Sequence, residues 1–159
     1  MLEIINTIRP FFEDCYRRYS VRENSRLFKI SPPTASKILK KLNKEGLLRS
    51  AEENNYLFFW ANKENKFFIA LSRLYWLYRL DDFIKYINKT LVDPTIILFG
   101  SLSKAEARID SDIDIAIFAA KKELSIEEFS DKLKREIQIF LFNSPKEVKA
   151  KELLNNILN

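Results

Sequence analysis

The chain has 159 residues, 47% hydrophobic and 31% charged, with a net charge of +5. Its single cysteine excludes an internal disulfide, and the absence of histidine excludes a zinc site of the usual kind and any histidine base. It shows no signal-peptide pattern and no apolar run near the roughly 20 residues that span a bilayer, so a cytoplasmic protein without a membrane partner is expected.

In chain order, Ile4, Ile5, Ile8, Phe11, Phe12 and Cys15 fall at helical spacing and predict a first helix over 3–17. Ser20 and Glu23 form a capping-box pair that opens a short helix to about Phe28. Ser31, Pro32 and Pro33 mark the start of a third helix, since proline fits the first turn, and Gly46 stops it. Its apolar stripe is Ala35, Ile38, Leu39 and Leu42. Residues 47–49 and 56–60 then read as two short strands around a polar turn.

Residues 64–89 keep a helical, aromatic pattern through Phe67, Phe68, Leu71, Leu74, Tyr75, Leu77 and Tyr78, until Asp93-Pro94 breaks it. Residues 95–99 and 113–118 are apolar runs suited to buried strands. Ser125 and Glu128 suggest a second capping box, 137–142 a third strand, and Ser144-Pro145 the start of a last helix. The second half is thus β-turn-β-α-β-α, an α/β unit of about 65 residues that is small to stand alone. The aromatic helix is expected to pack against it.

Charge divides the chain differently. Residues 1–90 hold 17 Lys and Arg against 10 Asp and Glu, while 91–159 hold 10 against 12. Residues 16–50 alone hold 10 against 2, which suggests a polyanion as partner for that half.

The chemistry is concentrated in Leu98-Phe-Gly-Ser-Leu-Ser-Lys-Ala-Glu-Ala-Arg-Ile-Asp-Ser-Asp-Ile-Asp-Ile. An apolar strand delivers Gly100, where the backbone can approach a ligand, and Ser101, whose hydroxyl and N–H suit phosphate oxygens. Asp112 and Asp114 lie two apart on the next strand, so their carboxylates share one side while Ile113, Ile115 and Ile117 face the core. Two carboxylates on one face are costly unless something positive joins them, and Mg²⁺ with bound phosphates fits that need.

Two resemblances follow from these residues. Residues 17–60 resemble winged helix-turn-helix regulators, with the Ser31-to-Leu42 helix as the recognition helix and Glu45-Gly46-Leu47-Leu48 as a typical ending. That likeness makes double-stranded DNA the expected partner, met in the major groove by Thr34, Ser36, Lys37, Lys40, Lys41 and Lys44, with phosphate contacts from Arg17, Arg18, Arg22, Arg26 and Lys29. Residues 95–142 resemble the Gly-Ser…Asp-x-Asp signature of DNA polymerase β-like nucleotidyltransferases, especially the minimal prokaryotic members. The resemblance implies that Gly100, Ser101 and Lys104 hold the triphosphate and that Asp112 and Asp114 bind the metal.

It also exposes two departures. Ala105 stands where the family has a glycine, and by strand phase the family's third carboxylate falls on Gln138. Glu136 is in phase two residues earlier and is the candidate replacement, about 7 Å away by strand rise.

The expected fold is α+β: an N-terminal winged helix of three helices and a hairpin (1–62), a helical connector (63–92) and a small α/β nucleotidyltransferase-like sheet (93–159). The expected function is Mg²⁺-dependent transfer of a nucleoside monophosphate from an NTP to a hydroxyl, by a protein tethered to DNA. The alternative is a DNA-binding transcriptional regulator whose nucleotidyltransferase-like domain only binds nucleotide or is inactive. Residues 64–89 carry more large aromatics than one short α/β unit can cover, which suggests a homodimer.

Overall fold

A computed structural model describes residues 3–148 and 150–158. The chain is mixed α+β, with eight α-helices and two three-stranded sheets among the described residues. No described helix is long and apolar enough to cross a membrane.

Helix α1 (Glu3–Glu13) buries Ile5, Ile8, Phe11 and Phe12 and ends earlier than its periodicity predicts. The Asp14 carboxylate accepts from the N–H groups of Tyr16 and Arg17, both at 3.0 Å, which replaces the next helical turn with an Asx-type turn. A two-residue strand β1 (Tyr19–Ser20) follows and pairs with Phe58 and Phe59, a pairing too short to leave a sequence pattern. Ser20 is also the N-cap of α2 (Val21–Phe28), and both halves of the capping box form.

Ser31 caps α3 (Pro32–Lys44), which buries Ala35, Leu39 and Leu42. Gly46 closes that helix with φ +75°, as its position after Glu45 suggests. Strands β2 (Leu48–Glu53) and β3 (Tyr56–Ala61) are longer than predicted and meet through Asn54-Asn55, both at positive φ. Such a two-residue turn matches the twist of a hairpin, so pairing continues to Glu53 and Tyr56. The sheet order is β1-β3-β2, all antiparallel.

The single helix predicted over 64–89 is two helices. The Asn65 side-chain Oδ1 caps α4 (Lys66–Arg79) by accepting from the N–H groups of Phe67 and Phe68, and α5 (Asp81–Thr90) starts after buried Leu80. Leu80 donates to Trp76 and accepts from Ile84, so hydrogen bonding runs through the corner while its backbone leaves the helical region (φ −91°, ψ 1°). The apolar periodicity also continues through the corner, which is why the sequence does not reveal it. Asp81 and Asp82 suit the new helix start.

The second sheet contains β4 (Thr95–Leu98), β5 (Ile113–Phe118) and β6 (Ile137–Phe142) in that order. Strand β4 runs antiparallel to β5, and β5 runs parallel to β6. A four-residue helix α6 (Gly100–Ser103) follows β4, and α7 (Glu127–Leu133) forms the crossover between β5 and β6.

Two expected helix starts are corrected. Ser125 does not cap α7 with Glu128; its hydroxyl instead bonds the Glu127 carboxylate at 3.2 Å, which also accepts from the Ile126 N–H. Ser144-Pro145 opens only a 3₁₀ turn (Pro145–Glu147), and the last helix α8 (Lys151–Leu158) begins later. Val148, extended at ψ 92°, separates the two.

One apolar cluster runs from α1 through β3, α4 and α5 to Ile113, Ile115 and Ile117 of β5. Tyr75, Trp76, Phe68 and Phe83 lie inside it, each worth about 2–3 kcal/mol of burial. A smaller cluster of Phe99, Ala116, Phe118, Val148 and Ile157 covers the other face of the second sheet. The Cys15 N–H donates to the Ala107 carbonyl at 2.8 Å, tying the end of α1 to the loop before β5. Burial pushes the Cys15 thiol up to about 12, so it is an inert packing group.

Candidate functional site

Strand β4 brings the chain to Gly100, and the Phe99 N–H donating to the Asp114 carbonyl at 3.0 Å carries the ladder to the end of the sheet. Two constraints meet at Gly100. Its φ is +70°, and a Cβ there would collide with Asp114 Oδ2 and come within 3.1 Å of Asp114 Cγ. The glycine expected from the motif is thus required sterically, because the Asp114 carboxylate sits against the backbone that begins α6.

Helix α6 is held from behind. Leu102 is fully buried, Arg73 of α4 donates to the Ser103 carbonyl at 2.6 Å, and the Ser103 hydroxyl donates to the Gly100 carbonyl at 2.9 Å. Ser101 is half-buried beside Gly100, and its carbonyl accepts from Lys104 and Glu106. The Lys104 ammonium donates to Asn156 Oδ1 of α8 at 3.2 Å, so in this structure it is drawn to α8. Ala105 has φ +56° and is completely buried. The left-handed conformation is strained for alanine, which gives a physical reason for a glycine at this place.

The 108–111 turn leads into the first aspartate. Arg108 N–H donates to the Ser111 hydroxyl at 2.8 Å and Ser111 N–H to the Arg108 carbonyl at 3.1 Å. Asp112 precedes β5 and Asp114 lies within it; both are half-buried, while Ile113, Ile115 and Ile117 face the core. Desolvation, and then the charge of Asp112, pushes the Asp114 carboxyl above its ordinary value. The side chains share one rim.

Gln138 stands opposite Asp114 in the parallel register, and its amide donates to Asp112 Oδ2 at 2.6 Å. Glu136 is exposed just before β6, and its carbonyl accepts from the Ile113 N–H at 2.8 Å. No group of three or more His, Cys, Asp or Glu that could hold a metal occurs among the described residues. The Asp114 carboxylate against the Gly100 turn, with the Asp112 charge close enough to raise it, could hold one hard cation whose remaining ligands come from water and phosphate oxygens. The two aspartates do not make the three-carboxylate set. A cavity of about 520 Å³, lined mainly by apolar side chains such as Leu77, Ile84, Leu98 and Ile157, runs along β4, and neither aspartate lines it.

The second candidate surface is α3. Thr34, Lys37, Lys40 and Lys41 are exposed and Ser36 half-exposed, on the arc opposite buried Ala35, Leu39 and Leu42. Thr34 is partly committed, since its hydroxyl bonds Ser31 Oγ at 2.8 Å, and Lys41 lies 4.0 Å from Glu45. Arg22, Arg26 and Lys29 are exposed, whereas Arg18 pairs with Glu53 and stacks over Trp60 and Arg17 stacks over Tyr19.

Sequence reasoning missed Arg135 and Glu13. The Arg135 guanidinium is buried and reaches both the 108–111 turn and Glu13, a contact between residues far apart in the chain. A charged side chain in a Lys-Arg-Glu run gives no sign of burial.

No curated protein and no solved structure matches the chain. Residues 83–158, from within α5 through the second sheet to α8, match the family model described as Polymerase beta, Nucleotidyltransferase, which supports a nucleotidyltransferase domain in the C-terminal half of the chain.

Proposed function

We propose that the chain is a divalent-cation-dependent nucleotidyltransferase whose basic N-terminal half holds duplex DNA. The observation that carries this reading is the packing of Asp114 against Gly100, with Asp112 on the same rim. In it, Asp112 and Asp114 hold Mg²⁺ or Mn²⁺, while Gly100, Ser101 and Lys104 receive the triphosphate. The cation, when bound, neutralises phosphate charge and lets a triphosphate lie beside two carboxylates that would otherwise repel it.

In the transfer, the acceptor hydroxyl oxygen bonds to the α-phosphorus as the bridge to the β-phosphate breaks, and pyrophosphate leaves. The acceptor proton needs a base. The amide of Gln138 cannot take it, which leaves Glu136 as the in-phase carboxylate. The Gln138–Asp112 bond favours a second reading, in which the site binds nucleotide and turns over slowly or not at all, and the protein regulates DNA in response.

The order α2, α3, β2, β3 with strand β1 supports a winged helix over 1–62, with 63–92 as connector and 93–159 as the nucleotidyltransferase unit. These boundaries mark changes of architecture, because the apolar core passes through both. On this reading α3 enters the major groove with Thr34, Ser36, Lys37, Lys40 and Lys41. The exposed Phe67, Leu74, Leu77 and Tyr78 on α4 support a homodimer that would space two such helices.

Titration calorimetry with each of the four NTPs, with Mg²⁺ and with chelator, tests the site. Binding should need the cation and be abolished in Asp112→Asn and Asp114→Asn; metal-independent binding, or none, overturns the assignment. Transfer of labelled nucleotide then separates the readings: Gln138→Asp should raise it and Glu136→Ala should remove what the parent shows. Undetectable transfer in both parent and Gln138→Asp favours the regulator.

A further inference from the structure

Arg135, between α7 and β6, has a side chain only 2% exposed. A guanidinium leaves water at a cost that is offset only when its donors are taken up. Here Nη1 donates to the carbonyls of Arg108 at 2.9 Å and Ser111 at 2.5 Å. Nη2 donates to the Glu13 carbonyl at 2.8 Å and lies 3.4 Å from Glu13 Oε2. The guanidinium also lies over the Trp76 ring at 5.1 Å.

One nitrogen therefore gathers the first and last carbonyls of the 108–111 turn, and Asp112 is the next residue. The other nitrogen grips the C-terminal end of α1. Glu13 is fixed in turn by the Tyr75 hydroxyl and by Arg79 Nη1 at 2.9 Å. Asp112 lies before β5, outside the ladder, so its direction is set by this turn and by the Gln138 amide.

We propose that Arg135 is a positioning residue for the Asp112–Asp114 pair, and that through Glu13 it makes the N-terminal half part of the device that sets their geometry. Only the ligand-binding arm of its test rests on the nucleotide reading above. A lysine at 135 keeps the charge but not the planar fork that spans the turn and α1.

The test uses the full chain with Arg135→Lys, and with Glu13→Gln as a milder variant that keeps the Glu13 carbonyl. Leu39→Val, a core change on α3, supplies a comparison of general destabilisation. In hydrogen exchange, Arg135→Lys should speed the amides of Arg108, Ser111 and Ile113 about tenfold beyond those of Ile115 and Ile117, a local opening that Leu39→Val should not produce. Affinity for Mn²⁺ with a non-hydrolysable ATP analogue should fall about tenfold in Arg135→Lys, as for other groups that orient ligands from behind, and be near the parent's in Leu39→Val. Glu13→Gln should move both readouts in the same direction by less. Exchange that rises evenly along β5, or does not change, overturns the proposal. If the parent binds no nucleotide, the nucleotide reading fails and the exchange pattern alone decides the role of Arg135. If Arg135→Lys does not fold, Glu13→Gln decides by the same pattern.

Discussion

The two three-stranded sheets carry their polar chemistry in opposite ways. In the N-terminal half the sheet β1-β3-β2 is antiparallel, and the exposed cations that could face DNA stand outside it, as an arc on α3, as Arg22 and Arg26 of α2 and as Lys29 at its end. In the C-terminal half the chemistry is at the sheet itself: Asp114 inside β5, Asp112 at its entrance, Gly100 where β4 ends and Gln138 across the parallel register. Lysines along one solvated helix face cost little and tolerate exchange. A carboxylate pressed on a backbone turn and within the field of a second one is costly, and such a site depends on every neighbour. The first arrangement suits a polyanion read over a long surface; the second suits one small, highly charged ligand.

This contrast can be broken most severely at Gly100. Gly100→Ala introduces a Cβ into the space of the Asp114 carboxylate at positive φ, so cation-dependent NTP binding should fall by about 100-fold or more while duplex affinity is unchanged. Equal loss of both ligands, in calorimetry and in fluorescence anisotropy, would mean that the two halves do not divide the work.

The helical surface should respond more gradually. Lys40→Ala with Lys41→Ala removes two cations from the candidate groove-facing arc, and should weaken duplex binding about tenfold and lower the salt slope by about 2. Anisotropy at several salt concentrations checks this, with Asp112→Asn as the unaffected control. An unchanged slope would assign the basic arc to another partner.

Assembly sharpens the same distinction, because a dimer would join two α3 surfaces but need not touch the aspartates. Light scattering should give twice the 18.8 kDa chain mass, and Phe67→Lys with Tyr78→Lys should return it to the monomer. A monomeric parent at micromolar concentration would remove the dimer from the account.

The smallest expected effect tests the cost of the carboxylate site directly. Burial and Asp112 raise the Asp114 pKa in the folded chain, so ionising Asp114 opposes folding. The penalty is absent below the ordinary carboxylate pKa and complete above the raised one. Asp114→Asn should therefore raise Tm by about 1–3 °C at neutral pH, and the gain should shrink as pH falls into the carboxylate range. A lower Tm at neutral pH would show that Asp114 is not held at a cost.

Much of this molecule was legible because its signals are local. The Ser20–Glu23 box, the Ser31-Pro-Pro start, Gly46 and the alternation around Asp112 and Asp114 each act within a few residues, where capping, proline geometry and strand period operate directly. The corner at Leu80 was not legible, since apolar periodicity passes through it unbroken. Nor was the false start at Ser144-Pro145, where the signature of a helix is spent on one 3₁₀ turn.

The sequence by itself determined that no histidine and no cysteine pair takes part in any chemistry, that 16–50 is strongly basic, and which glycine and aspartates lie at strand ends. Only the tertiary structure decided that Asp114 presses on Gly100, that Gln138 bonds Asp112, and that a buried Arg135 ties the aspartate turn to Glu13. These contacts join residues 14, 26 and 122 positions apart. Strand register and helix packing bring them together, and neither is encoded in the spacing of nearby residues.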